Sequence, residues 1–345
     1  MIGGLKYVDI YDYKLKKKIN KNYFYCNGRI AFKSILEKID NKKYKEIYLP
    51  NYICESLIQS IPKKKFKIKF YKIQNNFNAI FPNCKNSIIL NIEYFGKKNV
   101  IPRNIKKSNI IIIDKTFSFQ KNYKIKDKFE FYFASLRKIF PSLICGISSL
   151  PNNQKKYFSN KIIDQYHNAL SGYFLKKNYL KQSFDVRDKK IEKIYLNKIS
   201  SVENFFNDFN LNYNVDKIFL NYFTNINFKK VYTNLTKNNL FIYKLLKNNK
   251  SINFIRDKNF KYLLINTTKK ISLIKFLRKF DIYISEYWER PKKLKKKRLS
   301  HNLYENLIII PNDTNYKKKE LKKIAKYFKL FFKKYENTNS RLVTR

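Results

Sequence analysis

The chain has 345 residues and 44% hydrophobic content, and a chain near ~300 residues hides roughly 75% of its unfolded surface, so it reads as globular with one large domain or two. Its 75 Lys and Arg against 25 Asp and Glu give a formal net charge of +50, a balance that ordinarily points to nucleic acid or an anionic membrane surface. Here the excess is mostly Lys spread along the whole length, beside abundant Asn, Ile, Tyr and Phe and only 6 Gly, 8 Pro and 1 Trp; this is the mark of an AT-rich genome, and it sets a sequence-reading nucleic-acid role aside.

In chain order, Ile30, Ala31, Phe32, Ile35, Leu36 and Ile39 recur at helical spacing, which predicts a helix over residues 28–39. Short strands are predicted at Glu46–Leu49, Lys67–Ile73, Ser87–Ile92, Asn109–Ile113 and Phe129–Phe133. Their near-continuous apolar runs suit a mostly parallel sheet covered on both faces. From about Ser159 to Asn249 the pattern is largely helical and polar. A second βαβ-like stretch follows, with a strand at Phe260–Asn266, a helix at Ser272–Phe280 and a strand at Asp281–Ser285. Leu321, Ile324, Ala325, Phe328, Phe331 and Tyr335 mark an amphipathic C-terminal helix, expected to pack on the C-terminal domain rather than on a membrane.

The four cysteines, Cys26, Cys54, Cys84 and Cys145, form no CxxC pair, and the histidines are His167 and His301, so neither a disulfide framework nor a zinc site is expected. The N-terminus lacks the apolar core of a signal peptide, and no apolar run approaches the ~20 residues that span a bilayer. A cytoplasmic location is the expectation.

The chemistry is concentrated where Ile110-Ile111-Ile112-Ile113 ends in Asp114 and Ser135-Leu136-Arg137-Lys138 follows. A buried strand that delivers a carboxylate at its C-terminal end can hold a protonated pyridine nitrogen. A lysine on a nearby turn can carry pyridoxal 5'-phosphate (PLP) as a Schiff base, with a serine three residues earlier on the phosphate. Ser-x-x-Lys also occurs at Ser60/Lys63, Ser118/Lys121 and Ser272/Lys275, so the spacing alone carries nothing. Position singles out Ser135 and Lys138, because ligands in open α/β sheets bind beyond the carboxyl ends of the strands. Gly28, where the first helix begins, would let backbone N–H groups approach a phosphate; an ordinary helix-start glycine is the alternative.

Four blocks, Cys26-Asn27-Gly28-Arg29-Ile30-Ala31-Phe32, Leu49-Pro50-Asn51-Tyr52-Ile53-Cys54, Ile113-Asp114-Lys115-Thr116 and Ser135-Leu136-Arg137-Lys138, resemble the DegT/StrS-type aminotransferase family, in a branch with a Ser-Leu-Arg-Lys Schiff-base motif. Tyr287-Trp288 and Leu307–Asp313 extend the likeness into the C-terminal part. The resemblance implies a fold-type I PLP-dependent transferase. A large domain over residues 20–215 would carry a mostly parallel sheet between helices, and a smaller C-terminal α/β domain would cover residues 216–345, with residues 1–19 packing on it. It implies that Lys138 forms the internal aldimine, that Asp114 pairs with the pyridinium nitrogen, and that Ser135, Gly28 and Arg29 contact the phosphate. Tyr52 or Cys54 would lie near the ring face. It further implies a homodimer that uses an amino donor to aminate a keto-sugar, often nucleotide-linked, or a related carbonyl substrate in surface polysaccharide biosynthesis.

Two departures from the family pattern stand out. Phe117 lies three residues after Asp114, where most members have His or Gln, and Ile144-Cys145-Gly146 stands where the branch often reads Asp-Gly-Gly. They leave open a PLP-binding protein of the same fold with a different or lost reaction. A polyanion-binding protein, motivated by the charge and by the run Lys292–Arg298, is the remaining alternative.

Overall fold

The computed structural model describes residues 2–3, 23–120, 129–140, 145–152, 160–182, 188–205, 215, 220, 223, 226–295, 301–314 and 316–342. The strands are β1 (Ile2–Gly3), β2 (Phe24–Tyr25), β3 (Glu46–Pro50), β4 (Lys67–Ile73), β5 (Ala79–Ile80), β6 (Ser87–Ile92), β7 (Ile110–Asp114), β8 (Glu130–Ser135), β9 (Gly146–Ser148), β10 (Asn253–Ile255), β11 (Leu263–Asn266), β12 (Ile282–Tyr283) and β13 (Leu307–Ile310). The principal helices are α1 (Gly28–Lys38), α2 (Glu55–Gln59), α3 (Arg103–Ser108), α4 (Asn160–Lys181), α5 (Lys189–Phe205), α6 (Phe228–Leu246), α7 (Lys270–Arg278) and α8 (Lys318–Leu342).

An eight-stranded sheet in the order β2-β9-β8-β7-β6-β3-β4-β5 forms the body of the molecule. Its centre is parallel: β4, β3, β6, β7 and β8 run in one direction. The outer pairs β4/β5, β8/β9 and β9/β2 are antiparallel. Every residue of β6 and β7 is buried, which explains why their sequences are runs of Ile and Leu without alternation. The chain steps from β3 to β4 on one side and back to β6 on the other, so the carboxyl ends of β3, β6, β7 and β8 open onto one region at the switch of direction.

Helix α1 covers β8 and β9. It buries Ile30, Ala31, Phe32, Ile35 and Leu36, and Phe32 meets Phe133 of β8 with ring centroids 4.9 Å apart. Its start is fixed by Asn27, whose side chain accepts hydrogen bonds from the N–H groups of Arg29 (3.0 Å) and Ile30 (2.9 Å).

Two strand boundaries differ from the sequence-based expectation, for identifiable reasons. Asn109 precedes β7 instead of opening it, because its amide bonds to Ser87 N, Cys84 O and Ile105 O and so closes the α3–β7 turn. Strand β8 runs on to Ser135 because β9 pairs beside it, with Ser135 opposite Gly146.

The C-terminal part holds a three-stranded sheet, β10-β11-β13, antiparallel throughout. The βαβ-like reading of residues 260–285 is corrected here. Strands β11 and β12 flank α7 but lie in different sheets, since β12 instead pairs in parallel with β1. Helices α6, α7 and α8 close a second apolar cluster with Leu321, Ile324, Phe328 and Phe331 of α8 buried in it. The apolar stripe of the C-terminal helix is thus spent on protein packing. Among the described residues no helix is long and apolar enough to cross a membrane.

Candidate active site

Parallel strands deliver the site. Asp114 is the last residue of β7 and is 6% exposed. Its Oδ1 accepts a hydrogen bond from Thr116 N at 2.9 Å, and Thr116 Oγ1 in turn accepts from Ser135 N at 3.0 Å. The ends of β7 and β8 are therefore laced together through Thr116. Burial pushes the Asp114 carboxyl up to about 6; Thr116 acts against that rise, Glu93 adds to it, and Lys138 pulls it back. This carboxylate is desolvated beyond what the hydrogen bonds of the described residues compensate.

A short 3-10 turn, Leu136–Lys138, follows β8. Leu136 anchors it in the core, 1% exposed, and Leu136 N donates to Cys145 O at 3.0 Å. Burial and the neighbouring Arg137 lower the Lys138 ammonium to about 8. Its Nζ lies over the ring of Tyr287, 5.2 Å from the centroid. Arg29 belongs to the same electrostatic group, held below its usual value by burial and by Arg137, while Arg137 is paired with Glu203 of α5 at 2.7 Å. Arg29, Arg137 and Lys138 thus gather at this end of the sheet, with Glu203 paired to Arg137 and Asp114 close to Lys138.

The glycines explain how α1 comes so close. A Cβ on Gly28 would stand 2.7 Å from Ser135 Cβ, and one on Gly146 would stand 2.3 Å from Asn27 O. The helix start, β8 and β9 touch through backbone, an approach that side chains forbid. Because Asn27 takes the N–H groups of Arg29 and Ile30, the N-terminus of α1 is capped by its own chain. The half-buried Ser135 hydroxyl at the same place makes no hydrogen bond among the described residues.

Of the two candidates after β3, the structure brings Cys54 into the electrostatic neighbourhood of Lys138 and Asp114; burial pushes its thiol up and a hydrogen bond from Ser56 Oγ at 3.2 Å opposes this. Tyr52 is fully buried, its hydroxyl donating to Tyr287 O and its ring packed against Trp288 at 5.2 Å and Tyr304 at 4.8 Å. Tyr52 thus serves as a buckle between the two parts of the chain. Tyr304 fastens the same loop, its hydroxyl accepting from Ile53 N at 2.8 Å and lying within 3.0 Å of Asn51 O.

Phe117 is buried in an aromatic cluster with Phe95 (5.1 Å), Tyr262 (5.7 Å) and Tyr287 (5.7 Å). Tyr287 therefore connects Phe117 to Lys138. Apart from the family likeness, sequence reading had no reason to single out Tyr287, and none to single out Glu203, which lies 66 residues from Arg137. The only weak signal was that Tyr287 stands beside the single tryptophan. The basic run from Lys292 is partly structural, since Leu294 is fully buried and Lys292 N donates to Glu55 Oε2 at 2.8 Å; its residues 296–298 lie outside the described residues, as does Ile144.

No protein-family model matches the sequence. A stretch of 228 residues, 61% of this chain, is 26% identical to the DNA-directed RNA polymerase subunit beta' of Oedogonium cardiacum, and the match spans 11% of that subunit. Solved structures are similar over nearly the whole chain. Helicobacter pylori PseC, an aminotransferase involved in the biosynthesis of pseudoaminic acid, superposes with a TM-score of 0.64 at 13% identity, covering 96% of this chain and 99% of that one. Spr1654 of Streptococcus pneumoniae, assigned as a sugar aminotransferase, superposes in its PLP-form with a TM-score of 0.63 at 12% identity, covering 97% and 99%. A DegT DnrJ EryC1 StrS aminotransferase of Brucella abortus gives 0.53 at 13% identity, covering 90% and 85%. The chain has the α/β fold of these enzymes, with the large, mostly parallel sheet and the smaller C-terminal α/β part that the sequence led one to expect.

Proposed function

We propose that the protein is a PLP-dependent aminotransferase of the DegT/StrS type that places an amino group on a keto-sugar or related carbonyl substrate. The observation that carries this is the convergence of a buried carboxylate, Asp114, and a lysine of depressed pKa, Lys138, on adjacent parallel strand ends, with cations and a hydroxyl beside them.

The residues fit the cofactor. Asp114 is a desolvated carboxylate of the kind a pyridinium nitrogen would neutralise, and Arg29 and Ser135 are placed to take a phosphate. Lys138 is the amine that would hold the aldehyde carbon. Bound there, PLP would supply an electron sink for the bond-breaking step at the amine-bearing carbon.

The chain's own share of the work is acid–base. With its pKa near 8, the Lys138 amine is neutral in an appreciable fraction at physiological pH and can take a proton from the substrate carbon and return it. Arg137 helps keep it neutral, and Glu203, by pairing with Arg137, sets the strength of that effect. Tyr287 covers Lys138 with an aromatic face that excludes water and steadies the ammonium when it forms. Phe117 offers only hydrocarbon where it stands, and this favours, as a second reading, a reaction at the same cofactor other than ordinary transamination. A role in surface polysaccharide precursor synthesis, a cytoplasmic location and a homodimer complete the proposal; the first is supported by what PseC is described as doing.

The test is covalent retention of PLP. Wild-type protein mixed with PLP should show a visible band that borohydride converts to a permanently attached product, and Lys138→Ala should lose attachment entirely. Equal attachment in both proteins, or none in either, would sink the assignment.

A further inference from the structure

A second concavity lies between α6 and the hairpin of β10 and β11, with a volume of about 330 Å³. That size is at the lower end of the range for small-molecule sites. At about 30 Å³ for each water it has room for roughly ten, or for a ligand of about 10–15 non-hydrogen atoms. None of Arg29, Asp114, Ser135 and Lys138 lines it.

Two elements face each other across it. Helix α6 contributes Leu240 and Tyr243, and the hairpin contributes Ile255, Arg256, Phe260 and Leu263. Phe260 and Leu263 are each 7% exposed and make an apolar floor, whereas Leu240, 54% exposed, stands at the rim.

The charges select the kind of ligand. Arg256 lies over the ring of Tyr243, its guanidinium carbon 4.5 Å from the centroid, and Phe254 meets that ring edge-to-face at 5.3 Å. The stack holds the guanidinium in place, and no carboxylate of the described residues pairs with it. Asp257, the only acid in the wall, is already engaged: its Oδ2 lies 3.5 Å from Lys97 Nζ, and its Oδ1 accepts from Asn259 N at 2.9 Å. Lys258 adds a second cation. The wall therefore offers cationic donors above an apolar floor. A stacked guanidinium takes a carboxylate or a phosphate through two parallel hydrogen bonds. Tyr243 and Phe260 give an aromatic ring its edge and face partners.

We propose that this cavity binds a small aromatic anion, with Arg256 gripping its carboxylate or phosphate and the ring seated among Ile255, Phe260 and Leu263. The site stands independently of the reaction at Lys138.

Phenylacetate and phenyl phosphate are titrated calorimetrically into the full chain at about 150 mM salt, where long-range attraction to bulk charge is screened. Phenylacetamide is the neutral isostere and inorganic phosphate the bare anion. At least one aromatic anion should saturate with a Kd below about 1 mM, and both controls should bind more weakly than it does. Whichever anion binds tighter distinguishes a carboxylate ligand from a phosphate. Arg256→Gln should weaken binding about tenfold, and Leu240→Trp, which fills the rim, should abolish it; both positions are exposed, so the fold tolerates the changes. Arg278→Gln removes an exposed cation of α7 outside the wall, makes the same change in net charge and should leave the affinity unmoved. A Kd above about 1 mM for both aromatic anions would overturn the proposal. So would either control binding as tightly as the aromatic anions, or Arg256→Gln and Leu240→Trp behaving as Arg278→Gln does.

Discussion

Asp114 carries a conflict between stability and function that can be measured. Its folded value, about 6, lies above its ordinary 3.8, so folding favours the neutral carboxyl over the charged one relative to the unfolded chain. For a group shifted upward, the stabilising contribution is complete below about pH 4 and is lost as pH rises through 6. Above that, the fold holds a buried charge that a bound cation would relieve. Asp114→Asn keeps the acceptor for Thr116 N and removes the charge. In urea unfolding of cofactor-free protein the variant should be more stable by about 3 kcal/mol at pH 8, with the gap closing toward pH 4. The same variant should hold PLP far less tightly. A variant no more stable at pH 8 than wild type would show that the carboxylate is already paid for by the fold. The sequence singles out this residue because a carboxylate ending a four-isoleucine run is conspicuous; its protonation was not legible, since the burial that raises it comes from elements distant in sequence.

At the scale of elements, the loops after β6 and β7 are joined by a buried ion pair. Lys115 Nζ lies 3.2 Å from Glu93 Oε1, with side chains 3% and 5% exposed, and Ser118 Oγ donates to Glu93 Oε2. Burial lowers the Lys115 ammonium, with Glu93 acting the other way. Removing one partner strands the other charge, so Lys115→Met should cost about 3–5 kcal/mol, whereas the double variant Lys115→Met, Glu93→Gln should recover most of it. A double-mutant cycle on unfolding free energies decides the matter, and simple additivity would mean the pair is not coupled. This pair illustrates what local pattern hides. Strands β4 and β6 fall where the sequence pattern put them, β6 as an unbroken buried run and β4 by apolar residues between lysines. The three-residue β9 was invisible, being too short to show a period, yet it sets the length of β8 and hence the position of the Lys138 turn. The pairing of β1 with β12, 280 residues apart in register, is likewise a tertiary fact that no window of sequence contains.

At the scale of the whole molecule, the net charge of +50 and the candidate site are separable features. The fold class was legible because strand runs and helix stripes survive compositional drift: Ile and Phe still mark interiors when Lys and Asn fill the surface. What drift erased is the usual meaning of a basic residue, so that Arg29 was singled out by the family resemblance alone and Arg137's pairing with Glu203 shows only in the fold. The remaining surface cations should act as bulk charge. If so, binding to duplex DNA will fall steeply with salt, by orders of magnitude between about 50 and 200 mM, without preference for sequence, as counterion release demands. Saturating PLP should leave that curve unmoved, since the cofactor would engage only the residues at the strand ends. Salt-resistant binding, a preferred sequence, or competition by PLP would instead tie the charge to a specific surface and make the basic composition part of the function.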